Sequence, residues 1–287
     1  MNGIQTKAKV ILAGAGPGDA DLITVKLSNA LQLADVIITD RLVNPQIIEK
    51  YTKADAKIII TGKQGYNEAS ISQEEINQLL VDYARKENIV VRLKGGDVAF
   101  FSNVLDELIV LQKNNIPFEI IPGITAASGA SAYSGIPLTA RGYSQGVQFL
   151  TFNPNSYYSP ERWKELAKTN ETLVFYMAAK NVMDVVELLL RYSRKPDTAM
   201  AIIEQATTVH QQVHISTLKN CNVDFAGKQF SSPSLVIVGD VVKLHSDFNW
   251  FAGNKEGSIF KELTAEFSGA EVTGVFQTSP FMIICLL

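Results

Sequence analysis

The chain has 287 residues, a length that suits one large domain or two of ordinary size and leaves ample chain to bury a core. Its 26 Lys and Arg against 29 Asp and Glu leave a net charge of −3, which excludes a protein that coats nucleic acid or anionic lipid; an anionic ligand would have to meet a local basic pocket. The two cysteines, Cys221 and Cys285, stand in no CxxC arrangement, which fits a reducing cytosol and excludes a disulfide framework.

The N-terminal MNGIQTKAKV lacks the apolar core of a signal peptide, and no apolar run approaches the ~20 residues that span a bilayer, so a soluble, cytoplasmic protein without a membrane partner is expected. The first half alternates β-branched runs with helix-period segments, the pattern of βαβ units around a mostly parallel sheet. AKVILAG, VIITD, KIIIT, IVVRLKG and FEIIPG are the predicted strands. Ile23, Leu27, Ala30, Leu31 and Ala34 recur at helical spacing, as do Ile76, Leu79, Leu80, Tyr83 and Ala84, and Ser72 with Glu75 forms a capping box at the start of the second helix.

Around GIPLTARGYSQG (135–146) the periodicity lapses, as at a linker. Beyond it VQFLTFN, TLVFYM, AMAIIEQ, QVHISTL and SLVIVGDVV read as strands, and Val182, Val185, Val186 and Leu189 mark a helix. AMAIIEQ and QVHISTL follow one another without a helix, so a mixed sheet is expected. The domains are placed at 8–138 and 144–250, both α/β, with a tail of unknown role from 251 that ends in the apolar FMIICLL.

Three glycine-bearing or small-residue loops follow predicted strands: GAGPGD (14–19), RLKGGD (92–97) and PGITAASGASAYSGIP (122–137). In open α/β sheets ligands collect beyond the carboxyl ends of strands, so the loops should border one crevice. A dinucleotide fingerprint would place its third glycine where Asp19 stands, and Pro17 stiffens a turn that a pyrophosphate must approach closely. The loop suits a ligand that is not strongly anionic, such as a nucleoside or a sulfonium compound; Asp19 as a plain helix cap explains the same residue.

Taken in order, GAGPGD, DRLV (40–43), QEEIN (73–77), VRLKGGD (91–97), IPFEIIPGITAA (116–127), GIPLTARGY (135–143), TLVFYM (172–177) and SLVIVGDVVKL (234–244) resemble the tetrapyrrole methylase family, across residues 8 to about 250. The resemblance implies two α/β domains with a ligand cleft between them, S-adenosyl-L-methionine as cofactor with S-adenosyl-L-homocysteine as product, and a homodimer. It points to members that methylate two pyrrole carbons of uroporphyrinogen III to give precorrin-2, which feeds siroheme and corrinoids. Carried over by residue, the cofactor contacts fall on Pro17, Gly95, Gly96, Asp97, Phe100, Thr125, Ala126, Met177 and Ala206, the proton acceptor on Asp40 and the proton donor on Lys63.

A substrate rich in carboxylates makes Arg41 and Arg141 the expected substrate-binding cations, with Lys63, Arg92 and Lys94 as further candidates. The resemblance weakens where the family's PFxFGRGGEE-like run reads VAFFSNVLDE, where its His reads Ala140, and where its GKR-type stretch reads GKQGYNEAS. These departures leave open a later precorrin as substrate, or a non-catalytic relative that binds cofactor or tetrapyrrole. No metal site is expected: His210 and His214 on one strand would stand ~13 Å apart. Met177, at the end of an apolar strand, reads as core on its residue type alone.

Overall fold

The computed structural model describes residues 10–61, 72–86, 89–152 and 158–260. These fall into two compact units, the first running to Thr125 and resumed from Ile259, the second Ala126–Ser258.

The first unit is built on five parallel strands, β1 Val10–Gly14, β2 Val36–Asp40, β3 Lys57–Thr61, β4 Val90–Lys94 and β5 Phe118–Ile121, in the order β3-β2-β4-β1-β5. Because side chains alternate along a strand, the sheet has two apolar faces. Ile11, Ala13, Ile37, Val91 and Leu93 pack under α1 (Val25–Leu33) and α2 (Pro45–Tyr51). Val10, Leu12, Val36, Ile38 and Val90 pack under α3 (Gln73–Arg85) and α4 (Val104–Lys113). The expected capping box of α3 is present in both halves: Glu75 N–H donates to Ser72 Oγ at 3.1 Å, and Ser72 N–H donates to the Glu75 carboxylate at 2.7 Å.

The second unit opens with α5 (Ala126–Ser134), then β6 (Val147–Thr151), α6 (Pro160–Lys168), β7 (Thr172–Tyr176), α7 (Val182–Arg191), β8 (Ala199–Glu204), β9 (Gln212–Thr217), α8 (Cys221–Asp224) and β10 (Ser234–Val238). Its sheet runs β6-β7-β10-β8-β9, with β6 and β7 parallel and the other pairs antiparallel, the mixed sheet expected from two successive strands without a helix. Leu173, Phe175, Met200, Ile202, Val236 and Val238 face α6 and α7. Val174, Ala201, Ile203, Leu235 and Ile237 face Ala127 and Ala130 of α5.

That packing explains why the unit boundary lies earlier than the 138–144 expected from sequence. Most of the third small-residue loop is helix α5, whose Ala127 and Ala130 pack against the second sheet. Residues beyond 250 belong to the second unit as far as Ser258: Asn254 and Lys255 donate their N–H groups to Val209 O at 2.9 and 3.1 Å, and Gln205 Nε2 donates to Gly257 O at 2.9 Å. Among the described residues no helix is long and apolar enough to cross a membrane.

Candidate functional site

All five strands of the first sheet point the same way, so their carboxyl-end loops share one edge. The loops after β1 and β4 are joined as an isolated β-bridge: Gly16 N–H donates to Gly96 O at 3.0 Å, and Gly96 N–H to Gly16 O at 2.8 Å. Around it the contact is backbone on backbone. A Cβ on Gly14 would lie 2.6 Å from Gly96 O and 2.8 Å from Gly123 N, and one on Gly95 would lie 2.9 Å from Leu42 O. Four strand ends therefore converge only because glycine occupies these positions.

Asp97 fastens this edge. One carboxylate oxygen accepts from Gly123 N–H at 2.8 Å, tying the β5 loop to the β4 loop, and the other accepts from Ala99 N–H at 2.8 Å. Asp19 is the N-cap of the short turn Ala20–Leu22, accepting from Asp21 N–H at 2.9 Å, and Pro17 is buried in the same loop. The β4 loop then presents Phe100 and Phe101, 41% and 42% exposed, edge to face. Phe101 and Asn103 hold left-handed backbone at φ 53° and 54°, unusual for residues other than glycine.

Asp40 ends β2, half-buried, its carboxylate accepting from Leu42 N–H at 2.9 Å. Burial pushes its pKa above the ordinary carboxylate value, and the neighbouring Arg92 and Lys94 partly offset this. Arg41 beside it is exposed. Arg92 and Lys94 do not offer themselves to a ligand as the sequence suggested. Arg92 is 3% exposed and Lys94 5%; Arg92 Nε donates to Glu107 Oε1 at 2.9 Å, and Lys94 Nζ donates to Glu107 Oε2 at 3.0 Å. Their alternate positions on β4 aim both at the face covered by α4, where Glu107 is fully buried. Glu107 was missed in the sequence, although two cations at i and i+2 on an otherwise apolar strand signal a buried carboxylate partner.

In the second unit, β7 and β8 both run antiparallel to β10, so their carboxyl ends lie at one edge. Met177 follows β7 there, but it is not core: it is 65% exposed and held at φ 58°. Ala206 follows β8, buried between Gln205 at φ 45° and Thr207 at φ 70°. This strained turn is held by Gln211, whose Oε1 accepts from Thr207 N–H at 2.8 Å and whose Nε2 donates to Tyr133 O at 3.1 Å. Gln205 Oε1 is buried with no partner among the described residues. Ala126 opens α5, whose Ala127 N–H donates to the Tyr176 hydroxyl at 3.2 Å, at the same edge. Left-handed non-glycine residues cluster at functional edges, where surrounding structure holds them against their cost.

The structure thus brings Pro17, Gly95, Gly96 and Asp97 together on the first sheet's edge, with Thr125 ending the β5 loop, and Ala126, Met177 and Ala206 on the second's. Arg141 lies exposed in a turn closed by Ala140 N–H to Ser144 O and Ser144 N–H to Ala140 O, each 2.9 Å. Lys63 and the GKQGYNEAS stretch lie outside the described residues. His214 Nε2 meets Glu204 Oε1 at 2.6 Å, and His210 precedes β9 instead of sharing it.

The model of the tetrapyrrole (corrin/porphyrin) methylases matches residues 9–222. The chain is 41% identical over 248 residues to a siroheme synthase of Saccharophagus degradans, a match covering 86% of this chain and 54% of that protein. It is 44% identical over 242 residues to the siroheme synthase of Vesicomyosocius okutanii, covering 84% and 52%. The chain therefore spans about half the length of the curated relatives it matches. Among solved structures, the uroporphyrin-III C-methyl transferase from Thermus thermophilus complexed with S-adenyl homocysteine matches with a TM-score of 0.69 at 31% identity, over 82% of this chain and 99% of that one. A cobalt precorrin-4 methyltransferase matches with a TM-score of 0.73 at 25% identity, over 82% and 96%. The family match takes in both strand-end edges described above, and the chain belongs to the tetrapyrrole (corrin/porphyrin) methylase family.

Proposed function

We propose that the chain is an S-adenosyl-L-methionine-dependent C-methyltransferase that adds methyl groups to two pyrrole carbons of uroporphyrinogen III, giving precorrin-2 for siroheme and corrinoid biosynthesis, and that it works in the cytoplasm as a homodimer. The observation that carries this reading is the 31% identity, along 82% of the chain, to an enzyme of that name solved with S-adenyl homocysteine.

The residues present suit a sulfonium nucleoside. Gly95 and Gly96 offer backbone without side chains in the way, Met177 is exposed with no core to serve, and Gln205 Oε1 beside Ala206 is a buried acceptor without a described partner. The proposed contacts are Pro17, Gly95, Gly96, Asp97, Phe100 and Thr125 in the first unit and Ala126, Met177 and Ala206 in the second. S-adenosyl-L-methionine, when bound, supplies a methyl group on a cationic sulfur; the attacking pyrrole carbon needs little acid or base help, so the chain's main task is orientation.

A proton must afterwards leave the methylated macrocycle, its C–H electron pair returning to the ring. Asp40 is the proposed acceptor: its raised pKa brings its proton affinity closer to that of a base working near neutral pH. Lys63 is proposed as the donor. Arg41 and Arg141, both exposed, are proposed to pair with substrate carboxylates.

A second reading, methylation of a later precorrin, is favoured by one observation: beyond the exposed Phe100 and Phe101, Asn103 stands where the family pattern carries an arginine, which replaces a charge by a neutral amide. Anaerobic incubation of the purified chain with S-adenosylmethionine and uroporphyrinogen III, read by mass spectrometry, is expected to show two methyl additions. No gain in mass with an authenticated substrate contradicts the proposal, and methylation only of later precorrins in a parallel panel selects the second reading.

A further inference from the structure

The charges buried beneath the β2 and β4 loops do not cancel by themselves. Arg92 and Lys94 bring two cations, and Glu107 brings one carboxylate that reaches both, at 2.9 and 3.0 Å. The guanidinium of Arg92 is further fixed by donating to Ile38 O and Leu93 O at 3.3 Å. Strands β2 and β4 are parallel neighbours in the register Ile38↔Arg92 and Thr39↔Leu93. One residue on, Asp40 stands beside Lys94 on the same sheet face, about one strand spacing of ~5 Å away.

With Asp40 ionised the four groups sum to zero. With Asp40 protonated, the other three groups sum to +1; the pull of the two cations offsets part, but not all, of the cost that burial places on the Asp40 carboxylate. Glu107 is fully enclosed and the two cations nearly so, whereas Asp40 is only half-buried, so Asp40 is the member that exchanges a proton with its surroundings.

We propose that Lys94 is a positioning residue that acts through Asp40: its ammonium, held in place by Glu107, favours the ionised form of the Asp40 carboxyl, the form that can accept a proton. The inference rests on the reading of Asp40 as the proton acceptor. Among the described residues, the groups that face Asp40 are Arg92 and Lys94 from β4, Glu107 from α4 and its own Asx-turn partner Leu42 N–H. Burial raises its pKa, Arg92 and Lys94 lower it, and Glu107 raises it. Lys94 pays for its own burial with a lowered pKa, which Glu107 counteracts. Arg92, its hydrogen bonds committed to Glu107 and two carbonyls, exerts the larger pull on the Asp40 carboxyl, and Lys94 adds a second cation next to Asp40 in the sheet.

The test compares Lys94→Met and Lys94→Gln, which remove the charge, with Lys94→Arg, which keeps it. Folding is checked by circular dichroism, and two neutral variants are used so that loss of one leaves the other. Two readouts are taken on each: the pH profile of kcat/KM for methyl transfer, and the 13C NMR titration of the Asp40 carboxyl, assigned with Asp40→Asn. Loss of a neighbouring opposite charge is expected to move the acid limb and the Asp40 titration upward by about one pH unit or more in a folded neutral variant. Lys94→Arg is expected to leave both near their wild-type positions.

An Asp40 titration that does not move in a folded neutral variant overturns the proposal, as does an equal shift in Lys94→Arg. If the wild-type chain methylates no tetrapyrrole, the proposed reaction fails while the carboxyl titration still decides whether Lys94 governs Asp40.

Discussion

Asp97 shows how a single carboxylate can fix the shape of a strand-end loop. Both its oxygens are committed to backbone N–H groups, of Gly123 and of Ala99, so its first effect is on the shape of the β4 loop and the position of the β5 loop. Asp97→Ala removes two charge-assisted hydrogen bonds and is expected to lower stability by about 3 kcal/mol. The same change should weaken S-adenosylhomocysteine binding at least tenfold by calorimetry, and unchanged stability would show that the loops hold without it. Asp40 carries the opposite sign. Its folded-state pKa lies above the ordinary 3.8 because burial outweighs Arg92 and Lys94. Such a group contributes its stability below the unfolded value and loses it as pH rises through the folded value. Asp40→Asn is therefore expected to gain stability relative to the native chain as pH is raised from about 4 toward neutral, while methyl transfer is lost; chemical denaturation across that range measures it. The residue type alone made Met177 core, and the exposed left-handed backbone is what removes it from that role. Arg92 and Lys94 were misread for a related reason: a cation at a strand end can turn to solvent or into the helix layer, and only the partner, Glu107, decides.

At the scale of elements, glycine makes the first edge possible. A Cβ on Gly123 would stand 2.3 Å from Gly96 O and 2.8 Å from Gly14, with backbone on every side and no flexible side chain to yield. Gly123→Ala is expected to cost about 3 kcal/mol, read as a lowered denaturation midpoint, and a native midpoint would show that the loops can part. The strands were legible as short runs rich in β-branched, aliphatic and aromatic residues, and each of the ten observed strands falls within a segment read as strand. Helices α1, α3 and α7 were legible from their apolar spacing. Helix α5 was not, because AASGASAYS offers little contrast between an apolar and a polar face; it is a helix because its small residues let it lie close against the second sheet. Helix α4 begins inside VAFFSNVLDE, where the pattern departs from the family's and apolar residues spread around the helix, with Leu105 and Ile109 exposed.

At the scale of the whole chain, the contrast between a parallel and a mixed sheet could be read from whether helices separate successive strands, and both sheets have the expected character. The place where one unit gives way to the next was harder to read, because the lapse in periodicity near 140 marks an exposed turn inside the second unit, not a change of core. The candidate site was legible as loops and as a family pattern; its buried charges and strained backbone needed the packing to appear. The account stands on the claim that the glycine-built edge of the first unit holds a sulfonium nucleoside. A crystal structure of the chain with S-adenosylhomocysteine tests this most directly. The account predicts the nucleoside in contact with the Gly95–Gly96–Asp97 backbone and with Thr125; a nucleoside lodged elsewhere, with those residues untouched, would contradict it.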